Sequence, residues 1–149
     1  MIIREALADD YAQWQPLWDG YNAFYGRSGP TALAPEITAA TWGRILDPAE
    51  PVHALVAVEE GRIVGLAHYL FHRTTIAIGP TCYLQDLFTA PELRGKGIAR
   101  ALIEEVCDRA RAANAARVYW HTHESNATAR RLYDRVGESS GFIVYRIAL

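Results

Sequence analysis

Residues 82–100 pass from a β-rich run, through a basic turn punctuated by two glycines, into an amphipathic helix. No other stretch limits the fold as much. Residues 82–89 read as a strand, and residues 91–95 as a loop. The helix spans residues 97–113, with Ile98, Leu102, Val106 and Ala110 on one stripe and Ala99 and Ile103 beside it. Glu104, Glu105, Asp108, Arg109 and Arg111 lie off the stripe, and Glu105–Arg109 is a well-oriented i,i+4 pair. A helix with one apolar face must be covered by another layer. The connecting segment, Arg94-Gly95-Lys96-Gly97-Ile98-Ala99-Arg100, lets backbone approach a ligand closely, and the free N–H groups of a helix start suit a phosphate. It is not a P-loop, because Ile98 stands where the Lys and hydroxyl should follow Gly97. Nor is it a dinucleotide fingerprint, which would place Gly where Arg100 stands. Taken alone, the segment also reads as a turn that merely starts a helix.

The rest of the chain supplies the layer that this helix needs. Residues 2–6 read as a short strand. Asp9-Asp10 can cap a helix running to about residue 24, with Tyr11, Trp14, Leu17, Trp18, Tyr21 and Tyr25 at spacings of three and four. Gly26 to Pro30 breaks it, and residues 35–46 form a second helix with Pro35 in its first turn. Residues 52–58 and 63–71 read as a hairpin around Glu59-Glu60-Gly61-Arg62. Residues 118–122 read as a strand. Ser125 or Asn126 caps a helix striped by Ala129, Leu132, Tyr133 and Val136, and residues 142–147 read as a last strand. The order β-α-α-β-β-β-α-β-α-β is an α+β arrangement around one sheet.

At 149 residues the chain fits one domain, residues 1–149, since a domain takes ~100–200 residues. No apolar run approaches the ~18–20 residues of a membrane span. Met1 to Ala6 lacks a basic and then apolar leader, so no secretory signal is expected. Cys82 and Cys107 are too few for a disulfide framework, so a cytoplasmic setting is expected. Neither thiol has a histidine placed to activate it. A net charge of −2 argues against a dedicated nucleic-acid binder. Residues 1–91 carry five Arg against ten acids, while residues 92–149 carry ten basic against seven acidic residues. That split suits an anionic ligand on the C-terminal half and a cationic one facing the N-terminal half, or is chance asymmetry between solvated surfaces.

The sequence R-x-x-G-x-A at Arg94–Ala99, after a strand ending Asp86-Leu87-Phe88-Thr89, resembles motif A of the GCN5-related N-acetyltransferase (GNAT) family. Asn126-Ala127-Thr128-Ala129-Arg130-Arg131-Leu132-Tyr133, followed by Gly137 and Gly141-Phe142, resembles that family's N-x-x-A-x-x-L-Y segment. Tyr83 to Phe88, Val118-Tyr119-Trp120 and Phe142 to Tyr145 are most similar to the branch of fungal histone and D-amino-acid N-acetyltransferases and, more distantly, diamine acetyltransferases. The resemblance implies a single-domain acyl-CoA N-acyltransferase fold, with a mixed, mostly antiparallel sheet flanked by helices. It implies acetyl-CoA as co-substrate and no metal. The backbone of Leu87, Phe88 and Thr89 would pair with the pantetheine arm, and the N–H of Leu87 or Phe88 would polarise the thioester carbonyl. Arg94, Gly95, Lys96, Gly97, Ile98, Ala99 and Arg100 would cradle the pyrophosphate, with Ala99 where Gly is also common. Asn126 and Ala129 would line the cofactor's path. Tyr133 would sit by the sulfur and protonate the leaving thiolate. Relatives commonly pair or exchange the last strand, which implies a homodimer.

Acetyl transfer to an amine needs the neutral nucleophile, yet an alkyl amine has pKa ~10. A base must take the proton. Asp86 is the first candidate, on the strand that enters the cofactor motif; it also fits as a carboxylate that fixes a loop or binds the substrate ammonium. Gln85 stands where the diamine branch has Glu, which weakens a polyamine role. His121 and His123 alternate onto one face of a strand and could ligate a metal, although no third ligand is placed. His123 or Glu124 fits equally as a proton relay near the amine, or as a polar strand end before a helix cap. Tyr21, Tyr25 and Trp42 suit either a core or an aromatic wall that attracts a cation. Asp19 and Glu36 are nearby acids that could steer an amine.

The reading is an N-acetyltransferase acting on a small-molecule amine, an amino acid or related compound, by direct attack in a ternary complex. A protein lysine acceptor and a non-catalytic acetyl-CoA-binding module are the alternatives.

Overall fold

The computed structural model describes residues 1–149. Nine main elements follow in order: β1 (Ile2–Glu5), α1 (Tyr11–Phe24), α2 (Pro35–Leu46), β2 (Val52–Glu59), β3 (Arg62–His72), β4 (Thr81–Thr89), α3 (Ile98–Ala112), β5 (Arg117–Tyr119) and α4 (Ala127–Val136). One sheet runs β1-β2-β3-β4-β5. The first four strands are antiparallel, and β5 joins β4 in parallel. This is the expected α+β class.

The sheet is covered on both faces, as alternation along the strands requires. Leu55, Ala57, Ala67 and Tyr69 pack against the apolar stripe of α3, where Leu102 and Val106 are fully buried. Val56 and Leu66 pack on the other face against Trp14, Leu17, Trp18 and Tyr21 of α1 and Trp42 of α2. α3 lies tight on the sheet at Gly65: a Cβ there would sit 2.9 Å from Ile98 Cγ2 and 3.1 Å from Leu102 Cδ1.

Three expectations are corrected. Residues 142–147 form no strand, and Phe142, Ile143, Val144, Tyr145 and Ile147 are all largely exposed. A strand exists through its ladder, and nothing within one chain pairs with this segment. β5 ends at Tyr119 rather than at residue 122, because its pairing covers only Thr81–Tyr83 of β4. Asp10 does not cap α1 through its side chain. Its carboxylate instead accepts from Leu7 N–H at 2.7 Å and from both terminal nitrogens of Arg4, at 2.6 and 2.9 Å. That bond to Arg4 holds Asp10 below the usual carboxylate range.

Candidate active site

The site is built on an irregularity of β4. β3 and β4 pair from Gly65↔Thr89 to His68↔Asp86, then resume at Tyr69↔Leu84. Gln85 is the extra residue of a bulge. One added residue reverses the side-chain alternation beyond it. Leu84 therefore packs on the α3 face, while Asp86 and Phe88 turn to the α1 face. Beyond Tyr83, β4 also loses its other neighbour, because β5 peels away. The edge from Leu84 to Thr89 is thereby left open for an added strand.

Behind the bulge lies a buried hydrogen-bonded chain. Trp14 Nε1–H donates to His68 Nε2 at 3.0 Å, and His68 Nδ1 meets Asp86 Oδ2 at 2.9 Å. An indole only donates, so the bonding pattern assigns His68 Nε2 as acceptor and puts its proton on Nδ1, aimed at the carboxylate. Trp14, His68 and Asp86 are 0%, 2% and 7% exposed, so no water competes for these bonds. Tyr21 lies beside the chain. Burial, and then the Asp86 carboxylate beside it, push its phenol well above the ordinary range.

In front of the bulge is a small cavity where five of the sequence-predicted residues meet: Tyr21, Tyr25, Gln85, Leu87 and Tyr133. Leu84, Trp120 and His121 complete its wall. Tyr133 packs edge-on against Trp120, with ring centroids 5.4 Å apart. Burial, and to a lesser degree Tyr25, raise the Tyr133 phenol to about 12. The group therefore stays protonated, and so a hydrogen-bond donor, through the neutral range. The aromatic wall continues inward, Tyr25 against Tyr21 at 5.1 Å and Tyr21 stacked on Trp18 at 5.5 Å.

The glycine turn adjoins the open edge. Gly95 and Gly97 have φ of 80° and 84°, a left-handed conformation that side chains disfavour. A Cβ at either would meet nothing within 4 Å. No protein atom demands glycine there by contact, which leaves the backbone conformation as the requirement. The first bond of α3 runs from Ala101 N–H to Gly97 O, so the N–H groups of Ile98, Ala99 and Arg100 point out of the helix start unused. Lys96 is exposed, and Arg100 is held by Glu104 at 2.8 Å. Arg94 lies over the rings of Phe88 and Phe24, at 5.5 and 5.9 Å. Thr89, 8% exposed, has a hydroxyl with no partner at the end of the open edge. Unused donors, an unpaired edge and an orphan hydroxyl fit a long ligand with a peptide-like arm and a phosphate end, as coenzyme A has.

The remaining predicted residues lie elsewhere. Trp42 is core, 4.7 Å from Trp14 between ring centroids. Phe88 is buried under α1. Asn126 caps α4, its Oδ1 accepting from Ala129 N–H at 3.4 Å. Glu124 is exposed, and its backbone carbonyl accepts from Arg130 Nη1 at 2.9 Å. His123 Nδ1 bonds Ser125 Oγ at 2.6 Å, outside the cavity wall. His121 and His123 do not share a strand face, because β5 has ended before them. No three His, Cys, Asp or Glu side chains converge as metal ligands. Nothing local in the sequence marks His68, which lies in a β-rich run. Its partner Asp86, 18 residues away, is set by register, which sequence does not display.

Comparison with known proteins agrees with this geometry. The model of the Acetyltransferase (GNAT) family matches residues 14–137. The D-amino-acid N-acetyltransferase HPA3 of Saccharomyces cerevisiae is 31% identical over 148 residues, covering 98% of this chain and 89% of that protein. The uncharacterized N-acetyltransferase YhfO of Bacillus subtilis is 30% identical over 147 residues, covering 97% and 95%. In fold, the crystal structure of the ribosomal-protein-alanine N-acetyltransferase from Brucella melitensis biovar Abortus 2308 superposes with a TM-score of 0.80 at 21% identity, covering all of both chains.

Proposed function

The chain belongs to the acetyltransferase (GNAT) family and is an acetyl-CoA-dependent N-acetyltransferase, and we propose that its acceptor is the primary amine of a small molecule, an amino acid or related compound. The observation that carries the acceptor reading is the cavity that joins Tyr133, Gln85 and Leu87 to Tyr21 and Tyr25, immediately in front of the Asp86 carboxylate. A small ammonium finds aromatic faces and a buried anion there. The Saccharomyces relative, a D-amino-acid N-acetyltransferase, points the same way.

Acetyl-CoA supplies a thioester, an acyl carbon with a good leaving group. The unpaired edge at Leu87, Phe88 and Thr89 binds the pantetheine arm, and the N–H of Leu87 or Phe88 donates to the developing oxyanion. The turn from Arg94 to Arg100 takes the pyrophosphate on the free N–H groups of α3, with Lys96 adding charge. Asn126 and Ala129 shape the path by fixing the start of α4. Asp86 takes the amine's proton through the Tyr21 hydroxyl: the phenol oxygen accepts one proton as its own passes to the carboxylate. The freed amine attacks the acyl carbon directly in the ternary complex, and the C–S bond breaks. Tyr133 donates to the departing thiolate. Its phenol, near 12, is a weaker acid than a thiol of pKa ~8.5, so it stabilises the thiolate mainly by hydrogen bonding. His68 and Trp14 are positioning residues that fix the carboxylate from behind.

Thiol release from acetyl-CoA, followed with a chromogenic thiol reagent, tests this. The acceptors are D- and L-amino acids, diamines and polyamines, aminoglycosides and a lysine-rich peptide. Turnover confined to small amines, and reduced in Tyr133→Phe, is expected. Preference for the peptide would overturn the acceptor assignment. Tight acetyl-CoA binding with no turnover on any amine would indicate a binding module instead.

A further inference from the structure

The catalytic scheme above leaves one cation beside the cavity unused. Arg27 follows Gly26 at the end of α1, where a φ of 80° turns the chain. Its Nε donates to Asn22 Oδ1 at 2.7 Å, and its backbone N–H bonds Asn22 O at 2.9 Å. Asn22 is itself fixed: it is 4% exposed, and its Nδ2 donates to Trp18 O at 2.9 Å. The Arg27 guanidinium lies over the rings of Tyr21 and Tyr25, at 5.9 and 5.7 Å, and both rings line the cavity. Its terminal nitrogens make no hydrogen bond, and no carboxylate pairs with it; the ion pairs of the chain belong to Arg4, Arg62, His68, Arg100, Arg109 and Arg111.

Asp86 is the opposite charge. After burial, the two groups that act on the phenols of both Tyr21 and Tyr25 include Asp86, which raises them, and Arg27, which lowers them. The same pair of phenols thus feels an anion on the sheet and a cation on the loop. A site for a plain amine needs only the anion. A guanidinium that is tethered at one nitrogen and stacked on aromatic rings, with its forked donors unused, is preorganised for the two oxygens of a carboxylate.

We propose that Arg27 binds the carboxylate of the acceptor, and that the acceptors are therefore zwitterionic α-amino acids, held with the ammonium toward Asp86 and the carboxylate toward Arg27. This rests on the reading of the cavity as the acceptor site. It adds a specificity-determining residue that the family motifs do not contain.

The test compares kcat/KM for D- and L-alanine and D- and L-phenylalanine with kcat/KM for their primary amides, which keep the amine and lose the charge. The ratio of acid to amide is measured in the wild type, Arg27→Gln and Arg27→Lys; taking the ratio removes any general loss of activity. In Arg27→Gln the ratio falls by about 10–100-fold, the worth of a charged hydrogen-bonded contact, and Arg27→Lys recovers part of it. An unchanged ratio, with amides still turned over, overturns the role of Arg27 and leaves the acceptor site standing. A second arm does not depend on turnover. Calorimetry measures binding of N-acetylalanine and N-acetylphenylalanine, carboxylates without a free amine, to the same three proteins. Weaker binding by the same factor in Arg27→Gln supports the proposal even if no acceptor is acetylated. Equal or absent binding across all three proteins defeats it. Thermal melting confirms folding, and if Arg27→Gln does not fold, Arg27→Lys carries both comparisons.

Discussion

At the scale of single residues, the chemistry depends on what burial does to ionisable side chains. Tyr133 was legible in sequence from the N-x-x-A-x-x-L-Y segment, but a tyrosine on an apolar stripe is ordinarily core. The structure places it against Trp120, in the cavity wall beside Gln85 and Leu87, while it also packs on the core. Tyr133→Phe should lower kcat by ~10²-fold while calorimetric binding of acetyl-CoA is retained, since a hydrogen-bond donor aimed at a developing charge contributes about that much. Because the phenol is raised to about 12, it stays mostly protonated until about one unit below that pH. The wild-type kcat/KM should therefore climb with pH as the amine deprotonates, without a descending limb below pH ~11. A descending limb near pH 8–9 would assign the donor role to another group. His68 makes a second case. His68→Leu removes the partner of both Trp14 Nε1 and Asp86 Oδ2 in a dry interior. Chemical denaturation should show a loss of ~2–5 kcal/mol, the cost of leaving buried polar and charged groups unpaired.

At the scale of elements, the sequence located the helices well. α2 begins and ends as expected, and α1 and α3 agree within a residue, because Asp10, Pro35, Gly97 and the apolar stripes mark them locally. The strands were found, but their register was not. A strictly alternating β4 would place Leu84, Asp86 and Phe88 on one face. The bulge at Gln85 separates Leu84 from the other two, and it aims Asp86 at His68 and Tyr21. Deleting Gln85 should make β4 regular and turn one side of the strand over. Acetyl transfer should then fall by more than the effect of Tyr133→Phe, and Tm should drop, because apolar and polar side chains would exchange faces. Full activity in the deletion variant would show that the bulge does not position the site. The early end of β5 is the other surprise. Val118 to Thr122 has strand composition, yet only Val118 and Tyr119 of it find partners, and the parting of β5 from β4 opens the edge on which a ligand strand can add.

At the scale of the whole molecule, the chain is left with an apolar end. Phe142, Ile143, Val144, Tyr145, Ile147 and Leu149 are all more than 60% exposed, a concentration unusual for a free surface. The homodimer expected from the family resemblance would give this segment a ladder and a cover. Light scattering at micromolar concentration should show twice the chain mass, and truncation after Gly141 should give the monomer. A monomeric full-length protein would remove this role from the segment. No helix is long and apolar enough to cross a membrane. The sequence by itself determined the succession of elements, the two sides of each helix, the glycine turn and the two family motifs, because each is written in neighbouring residues and their periodicity. Only the tertiary structure decided that Asp86 belongs with His68 and Trp14, that His121 rather than His123 reaches the cavity, and that Arg27 stands over Tyr21 and Tyr25. These are matters of register and of where a strand stops, which depend on pairing between segments far apart in the chain. A shift of one residue there reverses every side chain without altering a single local signal.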